Sequence, residues 1–73
     1  MKKFFQKYVT DRIHERLLVS GLKYGELWKY KEEEYLPKPE TLYKICFVVA
    51  AESKMDVNDV LYDAVQCITG AKA

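Results

Sequence analysis

The side chains able to do acid–base chemistry are few, and they are not grouped. His14 is the only histidine, and it lies between Ile13 and Glu15 on a segment with helical spacing. The run Glu32–Glu34 precedes two prolines, and an exposed loop of this kind offers no pocket that would tune carboxylates for catalysis. The sequence contains neither a Gly-rich phosphate loop nor a serine on a nucleophile elbow. It therefore predicts a binding protein, without catalysis and without a cofactor.

The two cysteines do not have the spacing of a metal site. Cys46 and Cys67 lie far apart, each in an apolar stretch, and neither belongs to a Cys-x-x-Cys or Cys/His cluster. We expect both to be buried free thiols in a reducing cytosol, with no bound metal.

No segment has the composition of a membrane anchor. The chain opens like a secretory signal at Met1–Phe5, but Gln6 and Lys7 interrupt it before an apolar run develops. The apolar run at residues 45–51 is too short to cross a bilayer. These features predict a cytoplasmic protein with no membrane partner.

Charge is unevenly distributed along the 73 residues, although the formal net charge is only +1. Residues 1–31 hold eight basic and three acidic side chains, whereas residues 32–73 hold four basic and eight acidic ones, so the two parts carry +5 and −4. A basic half indicates a face for an anionic partner, or two faces that attract each other. Avid nucleic-acid binders usually carry larger positive totals.

Apolar residues at helical spacing predict an all-α fold, a bundle of four or five short helices forming one domain over residues 1–73. Phe4, Phe5, Tyr8 and Val9 indicate a first helix, and Thr10-Asp11 is a cap for a second with Ile13, Leu17 and Leu18 on one face. The alternative is one continuous helix through Thr10. Ser20-Gly21 predicts a helix end.

Three further helices, with a loop after the first of them, are predicted beyond this stop. Leu22, Leu27 and Tyr30 predict a short helix, and residues 32–39 a loop because two prolines bar a helix. Pro39 is expected in the first turn of the next helix, whose buried stripe is Leu42, Ile45, Cys46, Val49 and Ala50. Asp56 is a natural cap for the last helix, which runs through a stripe that includes Val65 and Ile68 to a stop at Gly70.

A set of features between Gly21 and Leu61 carries a family resemblance. They are Gly21-Leu22 at the turn, Leu27 and Tyr30 at buried positions, Pro37, then Glu40-Thr41-Leu42 with Ile45, and finally the segment at residues 55–61. In these features the chain resembles the lambda-repressor-like (Cro/CI-type) helix-turn-helix domain. An alternative register has residues 13–31 resembling the first and second helices of that family, which leaves no room for a recognition helix before Pro37.

The resemblance implies a small transcriptional regulator, of the kind that phages and mobile elements encode, binding double-stranded DNA. In a helix-turn-helix the second motif helix lies in the major groove with its N-terminal residues on base edges. Carried onto this chain, the implied DNA-binding residues are Lys23, Tyr24, Gly25, Glu26, Trp28, Lys29, Lys31 and Lys38. Lys2 and Lys3 are further candidates for phosphate contacts.

Two features favour an alternative function. Glu32–Glu34 lies where the resembled family commonly approaches the DNA backbone, and carboxylates there would repel phosphate. Aromatic residues crowd the same region, which is typical of protein interfaces: Tyr24, Trp28, Tyr30, Tyr35 and Tyr43. The alternative is a protein-binding modulator, antirepressor-like, that docks on a partner regulator.

A second surface is predicted on the last two helices. Phe47 adds an apolar residue to a helix whose stripe is already complete, and it could form a self-association patch with Val48, Tyr62 and Ile68. Burial of Phe47 is the alternative. A two-fold homodimer would pair two recognition helices.

Overall fold

The computed structural model describes residues 1–33 and 36–69, and within them the chain forms five helices and no strand. The helices are α1 (Lys2–Tyr8), α2 (Asp11–Val19), α3 (Tyr24–Glu32), α4 (Pro39–Ser53) and α5 (Val57–Thr69). The all-α prediction is confirmed. The predicted stop at Gly70 lies outside the described residues, and so do Glu34 and Tyr35 of the predicted loop.

The first two helices are separate. Backbone at Val9 and Thr10 is extended, and the Thr10 hydroxyl accepts a hydrogen bond from the Ile13 amide at 3.3 Å. This bond satisfies one of the amides that a helix start leaves without an intrahelical partner. The alternative of one continuous helix is therefore wrong.

A tight turn at residues 20–23 joins α2 to α3. The Leu22 amide donates to the Leu17 carbonyl at 3.3 Å, and the Gly21 amide donates to the Leu18 carbonyl at 3.1 Å. Gly21 has φ +108°, which a side chain would disfavour, so the predicted glycine stop is confirmed. Leu22, predicted as part of the third helix, instead belongs to this turn, where it is buried with Leu17.

The second helix pair, α4 and α5, is joined in a similar way. Pro39 occupies the first turn of α4, as predicted. Lys54 ends α4 in the left-handed conformation at φ 56°, and the Met55 amide donates to the Ala50 carbonyl at 3.0 Å. At the start of α5, Asp56 Oδ1 accepts from the Asn58 amide at 2.7 Å.

The core lies where α4 packs on α2 and α5, and α1 packs on α3 and α5. Its buried members are Met1, Phe4, Phe5, Ile13, Leu17, Leu22, Leu27, Tyr30, Ile45, Cys46, Val49, Ala50, Val60 and Ala64. Most predicted core positions are confirmed, while Leu18, Leu42 and Ile68 are half-buried. Val65, predicted in the buried stripe of α5, is 42% exposed because α4 and α1 cover only the other side of that helix.

Two clusters of charged side chains tie helices together. Glu52 of α4 accepts from Arg12 Nε at 2.9 Å and from Arg16 Nε at 3.2 Å, both on α2. Asp63 of α5 accepts from Lys7 Nζ at 2.7 Å and from the Tyr8 hydroxyl, both on α1. These bonds lower the pKa of the Glu52 and Asp63 carboxyls below their usual range.

The two thiols differ in environment, and both are free. Cys46 is fully buried, and burial raises the pKa of its thiol to about 11, so it is protonated and unreactive at neutral pH. Cys67 is only half-buried, so the prediction of full burial is wrong there. Within the same described ranges, no helix combines the length and apolar character needed to cross a bilayer.

Candidate binding face on the third helix

α3 rests on the core through one side and leaves the other open. Leu27 and Tyr30 are buried, and Phe5 of α1 packs against the Tyr30 ring at 6.0 Å between centroids. The Tyr30 hydroxyl donates to Glu26 Oε2 at 2.9 Å, one turn earlier on the same helix. Glu26, predicted to reach DNA, is therefore half-buried and bonded to a core residue.

The open side of α3 consists of two parallel rows at helical spacing. The first, which we call the aromatic row, is Tyr24, Trp28 and Lys31; Tyr24 is 66% exposed and Trp28 is 50% exposed. The second, which we call the outer row, is Gly25, Lys29 and Glu32, all exposed. Lys23 lies at the N-cap of the helix and is also exposed. The structure thus places Lys23, Tyr24, Trp28, Lys29 and Lys31 on the open side of α3.

The aromatic row borders a cleft of about 220 Å³. Phe5 and Val9 line it from the end of α1, and Thr10, Asp11 and His14 line it from the start of α2. The rings of His14 and Tyr24 meet edge-to-face, with centroids 5.6 Å apart and an interplanar angle of 82°. Sequence reasoning missed this cleft because its walls come from three helices, and no single spacing pattern groups them.

Gly25 is not required by the fold. Its φ is not in the left-handed region, and a Cβ placed on it would meet nothing within 4 Å. Glycine near the start of a short helix costs up to about 1 kcal/mol relative to alanine. An exposed glycine between Tyr24 and Trp28 leaves the backbone of α3 open to close approach by a binding partner.

The charges on this face are mixed. Glu32 was predicted in the loop, but it is the last residue of α3. Its position three residues after Lys29 places it on the outer row. Glu33 follows at the C-cap and is exposed. Lys38 lies at the N-cap of α4, beyond this segment. The lysines of α3 thus share their face with carboxylates.

Comparison with known protein families, with curated proteins and with solved structures finds no match to this chain. The function proposed below therefore rests on the structure of the chain itself. Over residues 1–33 and 36–69, no three potential metal ligands among His, Cys, Asp and Glu come together.

The predicted self-association residues differ in exposure. Phe47 and Tyr62 are exposed, whereas Val48 and Ile68 are half-buried against the core. Val48 lines a separate groove with Val19 of α2. The ring of Phe47 instead packs edge-to-face on Tyr43, with centroids 5.0 Å apart. The i, i+4 spacing of Tyr43 and Phe47 is the sequence feature that could have predicted this ring contact.

The large apolar side chains of α4 and α5 that are at least 40% exposed are Tyr43 and Phe47 of α4 and Tyr62 and Val65 of α5, and we call this set the hairpin face.

Proposed function

We propose that the protein binds double-stranded DNA as a small transcriptional regulator, with α3 in the major groove. The observation that carries this proposal is the turn at Gly21: it ends α2, starts α3 within a few residues, and leaves Lys23, Tyr24 and Gly25 at the open N-terminus of α3. This is the end of the second motif helix that meets base edges in a helix-turn-helix.

The side chains of the face have distinct roles in this proposal. Lys23 and Lys29 reach guanine edges or phosphate, and Tyr24 and Trp28 provide apolar contact with bases and sugars. Lys31, Lys38, Lys2 and Lys3 are phosphate contacts. Glu26 takes no part in base recognition, because its carboxylate accepts the Tyr30 hydroxyl proton in a hydrogen bond. With Glu32 and Glu33 nearby, few net positive charges face the DNA, so we expect modest affinity that falls with salt.

The test begins with selection from random DNA, followed by binding of the selected site to variants. Lys23→Ala should weaken binding by about 1–3 kcal/mol if Lys23 contacts a base. Lys44→Ala removes the same charge from the exposed side of α4 and should leave binding unchanged. If both variants bind alike, or if no DNA is selected, the proposal is wrong.

Gly25→Ala separates binding from folding. Because a Cβ at Gly25 meets nothing within 4 Å, the variant should be at least as stable as the parent. If the DNA approaches the backbone of α3 closely, the added methyl group weakens binding despite the gain in stability. Unchanged binding of Gly25→Ala would show that the contact surface lies elsewhere.

A second candidate function is binding to another regulator protein through the same face. The observation that favours it is the pairing of an exposed Trp28 and Tyr24 with the exposed carboxylates of Glu32 and Glu33. Retention of a regulator that persists at high salt, together with no selected DNA, would favour this candidate over DNA binding.

The remaining elements of the proposal follow from DNA binding. A two-fold homodimer joined through the hairpin face would present two α3 helices to successive turns of the duplex. A regulator of this kind acts in the cytoplasm of its host. The proposal assigns no catalysis, metal or cofactor to the chain, and places no part of it in a membrane.

A further inference from the structure

The cleft beside α3 combines aromatic walls with two charges of opposite sign. His14 and Tyr24, whose rings meet edge-to-face, both line it, and Trp28 and Phe5 add two further rings. Asp11 lines it from the start of α2, and Lys31 lines it from the last turn of α3. The two charged residues thus come from different helices.

Neither of these charges is neutralised within the described part of the chain. Three other basic residues, Lys7, Arg12 and Arg16, are paired with Asp63 or Glu52. Asp11 and Lys31 make no ion pair with any described residue. A carboxylate and an ammonium group are therefore both available at the rim of one cleft.

The size of the cleft limits the ligand. At about 220 Å³ it exceeds the roughly 150 Å³ that accommodates a benzene ring in an apolar cavity. Within the cleft there is room for one ring and a few further atoms.

Charge complementarity then selects the ligand class. For a simple anion the attraction of Lys31 is offset by the repulsion of Asp11, and for a simple cation the two effects are reversed, so neither is favoured. An apolar ring alone would offer no charged group to pair with Asp11 or with Lys31. A zwitterion with an aromatic side chain satisfies all three features at once, because its ammonium group pairs with Asp11, its carboxylate with Lys31, and its ring with Trp28 and Tyr24.

We propose that this cleft binds a free aromatic α-amino acid. The bound ligand would link the start of α2 to the aromatic row of α3. It would also engage Tyr24, Trp28 and Lys31, which the proposed function assigns to DNA, so the bound amino acid would change DNA binding by this helix.

Trp28 makes the test direct, because it is the only tryptophan in the chain and it lines the cleft. The full chain is titrated with phenylalanine in the absence of DNA, with excitation at a wavelength that phenylalanine does not absorb. We expect a saturable change in Trp28 emission. Amide chemical shifts of Asp11, His14 and Lys31 should change over the same concentration range.

Variants and analogues test each contact. Asp11→Asn and Lys31→Gln should each weaken phenylalanine binding by roughly tenfold or more, as expected for loss of a charged hydrogen bond. Asp59→Asn and Lys44→Gln make the same changes of charge on α5 and α4 and should have no effect. Phenethylamine lacks the carboxylate, 3-phenylpropionate lacks the ammonium group, and leucine lacks the ring, so each should bind more weakly than phenylalanine.

Three results would overturn the inference: no saturable change at millimolar phenylalanine, equal binding by all four variants, or equal binding of phenylalanine and 3-phenylpropionate. Circular dichroism of Asp11→Asn and Lys31→Gln confirms that each variant is folded before it is scored. Because these measurements contain no DNA, their outcome is independent of the DNA-binding proposal.

Discussion

The α2–α3 pair and the α4–α5 pair are joined in similar ways but present different surfaces. Each pair turns at a residue with positive φ, Gly21 in the first and Lys54 in the second. The face of α3 combines rings, lysines and carboxylates beside a cleft, whereas the hairpin face is built from apolar and aromatic residues. Similar turns thus join helices that pack differently, because α4 packs directly on α5 whereas α3 packs mainly on α1, and α2 packs on α4. The exposed residues decide what each helix can bind.

The two pairs also differ in how firmly their helices are held. α3 has nine residues, of which Leu27 and Tyr30 are buried, while α4 has fifteen residues and four buried ones. A helix of nine residues is not stable in water by itself and depends on tertiary contacts. The proposed binding helix is therefore the more sensitive of the two to loss of a single core residue.

The largest effect should come from Leu27→Ala. This change leaves a cavity under α3 and should lower the free energy of unfolding by about 2–5 kcal/mol. Urea denaturation followed by circular dichroism measures it. Val65→Ala, on the exposed side of α5, should change stability by less than about 0.5 kcal/mol. Equal losses in the two variants would contradict the dependence of α3 on the burial of Leu27.

The turns should respond to substitution in opposite directions. Gly21→Ala forces a side chain into the left-handed region and should cost about 1–2 kcal/mol, although a Cβ there meets nothing within 4 Å. Lys54→Gly relieves the same kind of strain and should gain up to about 1 kcal/mol. The same denaturation experiment measures both. A Gly21→Ala variant as stable as the parent would show that the turn does not depend on glycine.

The hairpin face should affect assembly more than folding. Phe47→Ser removes an exposed ring, so the stability of the monomer should change by no more than about 0.5 kcal/mol. Any self-association of the parent chain in sedimentation equilibrium should be lost in this variant. Val48→Ser is the comparison, because Val48 lies on the α2 side of α4 and should leave assembly intact.

The smallest effect concerns the polar contacts of Asp63. Its folded-state pKa is lowered by Lys7 and then Tyr8, so the stabilisation is present above the unfolded pKa of about 4 and is lost as pH falls through the lower, folded value. Asp63→Asn should therefore be slightly less stable than the parent at pH 7, and the difference should disappear in acid. A difference that persists at low pH would point to packing instead of charge.

The sequence predicted much of the fold because most of its signals are local. Thr10, Gly21 and Pro39 are placed by backbone chemistry that depends only on near neighbours, and each is confirmed. Val65 was placed wrongly because helical spacing does not say how much of a helix its neighbours cover.

The binding face and its cleft were harder to predict, because they depend partly on contacts between helices that local sequence signals do not specify. The row of exposed residues on α3 follows from one helix and was anticipated. The cleft brings Asp11 of α2 and Lys31 of α3 into one lining, which depends on how α1, α2 and α3 pack. Likewise, the Tyr30 hydroxyl occupies one carboxylate oxygen of Glu26, a predicted contact residue, and no charge count reveals this hydrogen bond.

The carboxylate of Glu52 has a consequence for recognition. Both arginines of the chain, Arg12 and Arg16, donate to it. Through its Nε atom, each guanidinium group is thereby tied to α4, and a bidentate contact of either arginine with phosphate or guanine would compete with this ion pair. The cations on the face of α3 are lysine ammonium groups, which act as point charges with little directional preference.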